Sequence, residues 1–224
     1  MAKKERLKAE GVKITTPEFR MSFPTLFEPR AAEGSDKKKY SVTMQFQIAA
    51  TEKSKAEGRS VVDIQPLRDA VKAVLVEKYG ADTTKWPAFG DGKGLIKLPF
   101  RSGTEQGKAD SPGLGEGIIF VQASKNGDQI RPGVVDGSLK PITIPSDVYG
   151  GCYGRATINP YFWEFMGKFG VSFGLQNVQL IRDGERFGGG EAATDAFDAI
   201  PTPGGAQAVG AGAGAGKSSD PLGL

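Results

Sequence analysis

From Tyr40 to Ile48 the chain alternates apolar and polar residues without a fault. Tyr40, Val42, Met44, Phe46 and Ile48 fall on one phase, and Ser41, Thr43, Gln45 and Gln47 on the other. A two-residue period over this length requires a strand with one face in a core. With 32 glycines and 14 prolines in 224 residues, the chain is suited to a turn-rich β protein and poorly suited to a helical bundle. Its length holds one domain whose core needs neither disulfides nor metal.

Other strands follow from the same reasoning. Phe19 to Phe27 has strand character broken by Pro24, which predicts a bulge or an edge. Ile118 to Ser124 is a strand, and Asn126-Gly127 signals a hairpin whose return is expected at 129–131. Cys152, Gly154, Ala156 and Ile158 share a small, apolar face suited to close packing in a barrel, with Tyr153, Arg155 and Thr157 opposite. The last strand, 168–181, changes phase at Gln176-Asn177, which implies a second bulge. One helix is expected over 64–79, with Asp63 as N-cap, Gly80 after the last turn, and Ile64, Leu67, Val71, Val74 and Leu75 as its apolar stripe. Residues 81–117 read as a long loop with a short strand at 95–100. Mainly β, five strands and one helix with long inserted loops fit an OB-type antiparallel barrel, with a β-sandwich as the alternative.

Residues 1–10 are expected to be flexible, 11–187 to form the folded domain, and 188–224 to be a disordered tail. The tail is rich in Gly, Ala and Pro and too poor in large apolar groups to offset the entropy of ordering. Its Gly216-Lys217-Ser218 fails as a phosphate-binding loop, because Ala211 stands where the first Gly must be. Overall charge is +3. Residues 1–186 carry an excess of six cations, whereas 187–224 carry Lys217 against Glu191, Asp195, Asp198 and Asp220. A basic body with an acidic tail points to a polyanionic partner.

Histidine is absent and Cys152 is the sole cysteine. The commonest general base is therefore missing, a Cys/His zinc site cannot be assembled, and no cofactor is implied. The charged start MAKKERLKAEG predicts no secretory leader, and no apolar run in the sequence reaches membrane-spanning length. An enzyme is thus the weaker expectation. Eight of the twenty aromatic residues fall within 149–173 (Tyr149, Tyr153, Tyr161, Phe162, Trp163, Phe165, Phe169 and Phe173), together with Arg155, Lys168 and a single acid, Glu164. Rings beside cations with few carboxylates suit base stacking and phosphate neutralisation, although aromatic residues also build ordinary β-cores. Phe165, Phe169 and Phe173 are assigned to core.

FRMSFPTLFEP (19–29), KKYSVTMQFQI (38–48), LPFRSG (98–103), RPGVVD (131–136), VYGGCYGRATINPYFW (148–163) and GVSFGLQNVQLIRDGERFGG (170–189) together resemble a family of tailed-phage single-stranded DNA-binding proteins, formerly known only as a domain of unknown function. The resemblance implies an OB fold that coats and protects single-stranded DNA during phage replication or recombination, in the cytoplasm of the bacterial host, without catalysis. By the chemistry of such proteins, Tyr153, Arg155, Tyr161, Phe162, Trp163, Arg20, Phe23, Lys39, Tyr40, Trp86, Lys97 and Arg101 are the candidate DNA-binding residues. Tyr40 sits on the apolar phase of its strand, so a core role competes. TDAFDAIP (194–201), with Asp195, Phe197, Asp198 and Ile200, resembles the acidic tip through which such proteins recruit replication proteins, but it is internal rather than terminal. The chain is compatible with a homo-oligomer. The alternative function is a virion structural or assembly protein with a β-barrel.

Overall fold

The computed structural model describes residues 5–8, 13–32, 34–108 and 111–188. In chain order the elements are β1 (Glu5–Lys8), β2 (Ile14–Thr15), β3 (Phe19–Ala31), β4 (Lys38–Gln47), α1 (Glu52–Ala56), α2 (Gln65–Tyr79), β5 (Ile96–Lys97), β6 (Arg101–Ser102), β7 (Ile118–Asn126), β8 (Gly133–Val135), β9 (Tyr153–Phe165) and β10 (Lys168–Arg182).

The five long strands close a ring in the order β3–β4–β7–β10–β9 and back to β3. Every pairing in the ring is antiparallel except β7 with β10, which is parallel and only two residues long, Phe173 opposite Ala123 and Gly174 opposite Ser124. This is a partly open OB-type barrel, and the ring excludes the sandwich. The short strands β5 and β6 flank the weak seam, β5 against β10 and β6 against β7. Gly170 permits this approach, since a Cβ there would strike the Lys97 carbonyl.

The inward phases match the sequence pattern. Val42, Met44 and Phe46 are fully buried, as are Cys152 and Ile158, with Ala156 nearly so. At Gly154 a Cβ would collide with the Met21 side chain and the Gln179 carbonyl, so the small-residue face is dictated by close strand packing. Both bulges occur where expected, β3 losing register between Ser22 and Thr25 and β10 between Leu175 and Asn177. α2 buries Leu67, Ala70, Val71, Val74 and Leu75, and the Tyr79 ring meets Phe162 edge-on at 5.8 Å.

Several expectations are corrected. The α2 N-cap is Ile64; Asp63 precedes it, and its carboxylate accepts the Gln65 N–H at 2.8 Å. The unpredicted α1 is held by reciprocal Thr51–Ser54 capping bonds of 3.0 and 2.8 Å, a box closed by Ser where the sequence rule looks for Glu or Gln. No return strand follows Asn126-Gly127. The chain crosses instead to β8, which pairs in parallel with β10 at 177–179. Beyond these expectations, Glu5–Lys8 adds to β9 opposite 161–164, pairing backbone groups that an edge would leave open. Phe165 is 44 % exposed rather than core. Gln45 and Gln47, on the outward phase of β4, are also buried, because residues 112–117 cross over them: Gln45 Nε2 donates to the Pro112 carbonyl at 2.9 Å and Gln47 Nε2 to the Gly117 carbonyl at 3.3 Å. Among the described residues no helix is long and apolar enough to cross a membrane. The TDAFDAIP segment and residues 189–224 lie outside the described residues.

Candidate nucleic-acid interface

Where residues 112–117 stop covering it, the outward face of β4 and β7 opens into a groove of about 630 Å³. The register fixes its floor, setting Thr43 opposite Gln122 and Gln45 opposite Phe120. One wall is the β3 bulge with Phe23, and another is the segment from Lys97 to Lys108. Tyr161 and Trp163 of β9 and Ser172 of β10 complete the lining. Lys39, Lys97, Arg101 and Lys108 all face this groove, and its described lining includes no carboxylate. Such a groove combines a phosphate-neutralising rail with rings and uncharged hydrogen-bonding groups.

Each wall has a local cause. Phe23 has φ of 47° and is 68 % exposed. A residue before proline is ordinarily extended, so this left-handed conformation costs about 1–3 kcal/mol. It persists because the bulge is fixed on both sides, by ladder pairing at Ser22 and by the Ser41 N–H donating to the Thr25 hydroxyl at 2.9 Å. The result is a ring held out over the groove. Tyr161 and Trp163 share the outward phase of β9, roughly 7 Å apart at the ~3.4 Å rise of an antiparallel strand. Arg101 lies 5.0 Å over the Phe120 ring, and the Glu105 carboxylate accepts from its Nε and Nη2 at 2.8 and 2.6 Å. These bonds raise the affinity of Arg101 for its proton. Lys97 Nζ contacts Asp91 at 2.6 Å.

Of the twelve candidates, Phe23, Lys39, Lys97, Arg101, Tyr161 and Trp163 come together here. The other six do not. Phe162 is 1 % exposed, because it alternates inward from Tyr161 and Trp163 and stacks on Phe169 at 6.1 Å. Tyr40 is buried on the inward phase of β4. Tyr153 faces outward yet is buried, with the Arg182 guanidinium 3.4 Å from its ring centre. Arg20 is buried and wholly engaged: Nε donates to the Gly151 carbonyl at 3.1 Å, Nη2 to the Glu185 carbonyl at 2.9 Å, and Nη1 to Glu57 at 3.1 Å. Burial, followed by repulsion from Arg59, lowers its pKa. Trp86 packs against the core and donates its indole N–H to the Gly80 carbonyl at 2.9 Å. Arg155 is exposed on a different surface beside Asn177 and Gln179, donating to the latter at 2.7 Å.

Sequence reasoning missed Thr43, Phe120, Gln122, Ser172 and Lys108 as lining residues. Extending the phase of β4 across the ladder would have found Phe120 and Gln122. Lys108 lies in a loop and left no periodic signal.

Residues 12–206 match the family model described as Enterobacter phage Enc34, ssDNA-binding protein. Protein p50 of Acyrthosiphon pisum secondary endosymbiont phage 1 is 30 % identical over 190 residues, 84 % of this chain and 93 % of that one. Two solved structures share the fold. The single-stranded DNA-binding protein from bacteriophage Enc34, in complex with ssDNA, aligns with a TM-score of 0.57 at 20 % identity over 80 % of this chain and 91 % of its own. A single-stranded DNA-binding protein encoded by bacteriophage T7 aligns with a TM-score of 0.51 at 17 % identity over 84 % of this chain and 99 % of its own. With the family model matching nearly the whole folded region, and a relative this similar over most of both lengths, the chain belongs to the Enc34 family of phage ssDNA-binding proteins.

Proposed function

We infer that this protein binds single-stranded DNA in phage DNA replication and recombination, coating the strand without regard to sequence and without catalysis. The observation that carries the reading is the position of the groove. It lies on the outward face of the second and third barrel strands, β4 and β7, the face on which OB folds take oligonucleotides. Phe23, Tyr161 and Trp163 are proposed to stack on bases, and Lys39, Lys97, Arg101 and Lys108 to neutralise phosphates. Thr43, Gln122 and Ser172 offer hydrogen bonds to base edges.

In this reading the site of action is the bacterial host cytoplasm. Assembly into homo-oligomers along the strand, and contact with replication proteins through Asp195, Phe197, Asp198 and Ile200, complete the proposal. The family assignment supports it. The direct experiment is titration with oligo-dT of a Trp86→Phe variant, in which Trp163 is the sole tryptophan. Quenching at low salt that weakens steeply as salt rises is expected. Absence of binding at low salt, or equal affinity for duplex, would overturn the reading.

A further inference from the structure

Two of the four groove cations do not wait in open solvent. Lys97 Nζ sits 2.6 Å from Asp91, and Arg101 makes a two-pronged contact with Glu105. Both carboxylates are near neighbours in sequence on the same inserted segment, both are substantially exposed (side chains 69 % and 41 %), and neither belongs to the groove lining. Exposed pairs of this kind contribute little to folding, so stability does not explain them. They do place an anionic oxygen against each cation, and neither carboxylate lines the groove.

Resting on the ssDNA reading above, we propose that Asp91 and Glu105 are internal stand-ins for DNA phosphates: they hold Lys97 and Arg101 extended at the groove rim and give them up when the strand binds, setting an upper limit on affinity. The surrounding charges fit this exchange. Both carboxyls are held below the ordinary carboxylate range, Asp91 chiefly by the Lys97 hydrogen bond and also by the charges of Lys97, Lys168 and Arg101, and Glu105 chiefly by the Arg101 hydrogen bonds with added pull from Lys108 and Lys97. Two carboxylates thus lie among four cations, Lys97, Arg101, Lys108 and Lys168, of which the first three line the groove. A guanidinium held by a fork of two oxygens is already posed for a phosphate, which presents the same geometry. The device trades affinity for release. A protein that coats a template must also leave it.

The test is a comparison of Asp91→Asn/Glu105→Gln with the wild type in oligo-dT titrations across salt. The double variant is expected to bind about tenfold tighter at low salt, the gain of releasing two exposed pairs. Its log-affinity against log-salt slope should steepen by up to roughly 0.7 for each cation freed to a phosphate. Asp69→Asn/Glu77→Gln, on α2 and outside the groove lining, makes the same change in net charge and should leave the slope unaltered. In a Lys97→Gln background, Asp91→Asn should give no gain. Affinity and slope equal to wild type, or equal gains in both doubles, would overturn the proposal while leaving the ssDNA reading intact. Failure of the wild type to bind would remove both.

Discussion

Arg20 and Arg101 have the same kinds of neighbours and opposite exposure. Each guanidinium lies against aromatic rings, Arg20 beside Phe187 at 4.3 Å and Tyr153 at 5.7 Å, Arg101 over Phe120 at 5.0 Å. Each is paired to a carboxylate, Glu57 and Glu105 respectively. Arg20 is buried opposite Gln45, which residues 112–117 cover; Arg101 is 42 % exposed and lines the groove. The proton affinity of Arg20 is lowered by loss of solvent, whereas that of Arg101 is raised by its partner. Side-chain chemistry alone therefore does not mark a ligand contact. Solvent access decides whether an arginine binds the protein or something outside it.

The strongest way to break the comparison is at the carboxylates. Glu57 lies between two buried guanidiniums, Arg20 at 3.1 Å and Arg59 at 2.6 Å. Its removal by Glu57→Ala takes the nearest carboxylate from both buried guanidiniums and leaves Arg20 only the 4.0 Å contact to Glu185, and should cost about 3–5 kcal/mol in urea denaturation. Glu105→Gln should change stability by less than about 1 kcal/mol. If the two cost the same, burial is not what separates the two arginines.

Next in size is a ring of the groove. Trp163→Ala should weaken oligo-dT binding by ~1–3 kcal/mol if the ring stacks on a base. Tyr153→Ala, buried against Arg182, should instead appear in the melting temperature, with affinity changed only in proportion to the loss of folded protein. A smaller effect separates the cations. In a Glu105→Gln background, Arg101→Gln should flatten the salt dependence of ssDNA binding by up to roughly 0.7 in slope, one phosphate contact, while Arg155→Ala should alter neither slope nor affinity, because Arg155 lies on another surface.

The pH response gives the finest distinction. The folded-state pKa of Glu105 is depressed by Arg101. The small stabilisation from this pair is therefore present above the unfolded carboxylate pKa and lost as pH falls through the lower, folded one. The stability difference between wild type and Glu105→Gln should close over that acidic window, read as converging urea midpoints.

Much of this was legible beforehand. Alternation over 40–48 gave β4 and its inward face, Pro24 located the β3 bulge, and the phase change at Gln176-Asn177 located the β10 bulge, since periodicity and proline geometry are local properties of the chain. The small face of 152–158 implied close packing, which the collisions awaiting a Cβ at Gly154 explain. The residues converging on the groove were half legible. Alternation should have separated inward Phe162 from Tyr161 and Trp163, but three consecutive rings after Pro160 left the phase open. Nothing local marks Tyr153, which lies on an outward phase and is nonetheless buried by Arg182 and residues near Gly184.

The sequence by itself determined the five long strands, both bulges, the main helix and the basic character of the body, because each depends on neighbours within a few positions. Only the tertiary structure decided which rings and cations are available to a ligand. Arg20 meets Glu57, Gly151 and Glu185 across separations of 37, 131 and 165 residues, and the groove exists only where β3, β4, β7, β9 and β10 curve together beneath the inserted 97–108 segment. Burial depends on the whole closed barrel, and no window of sequence contains that information.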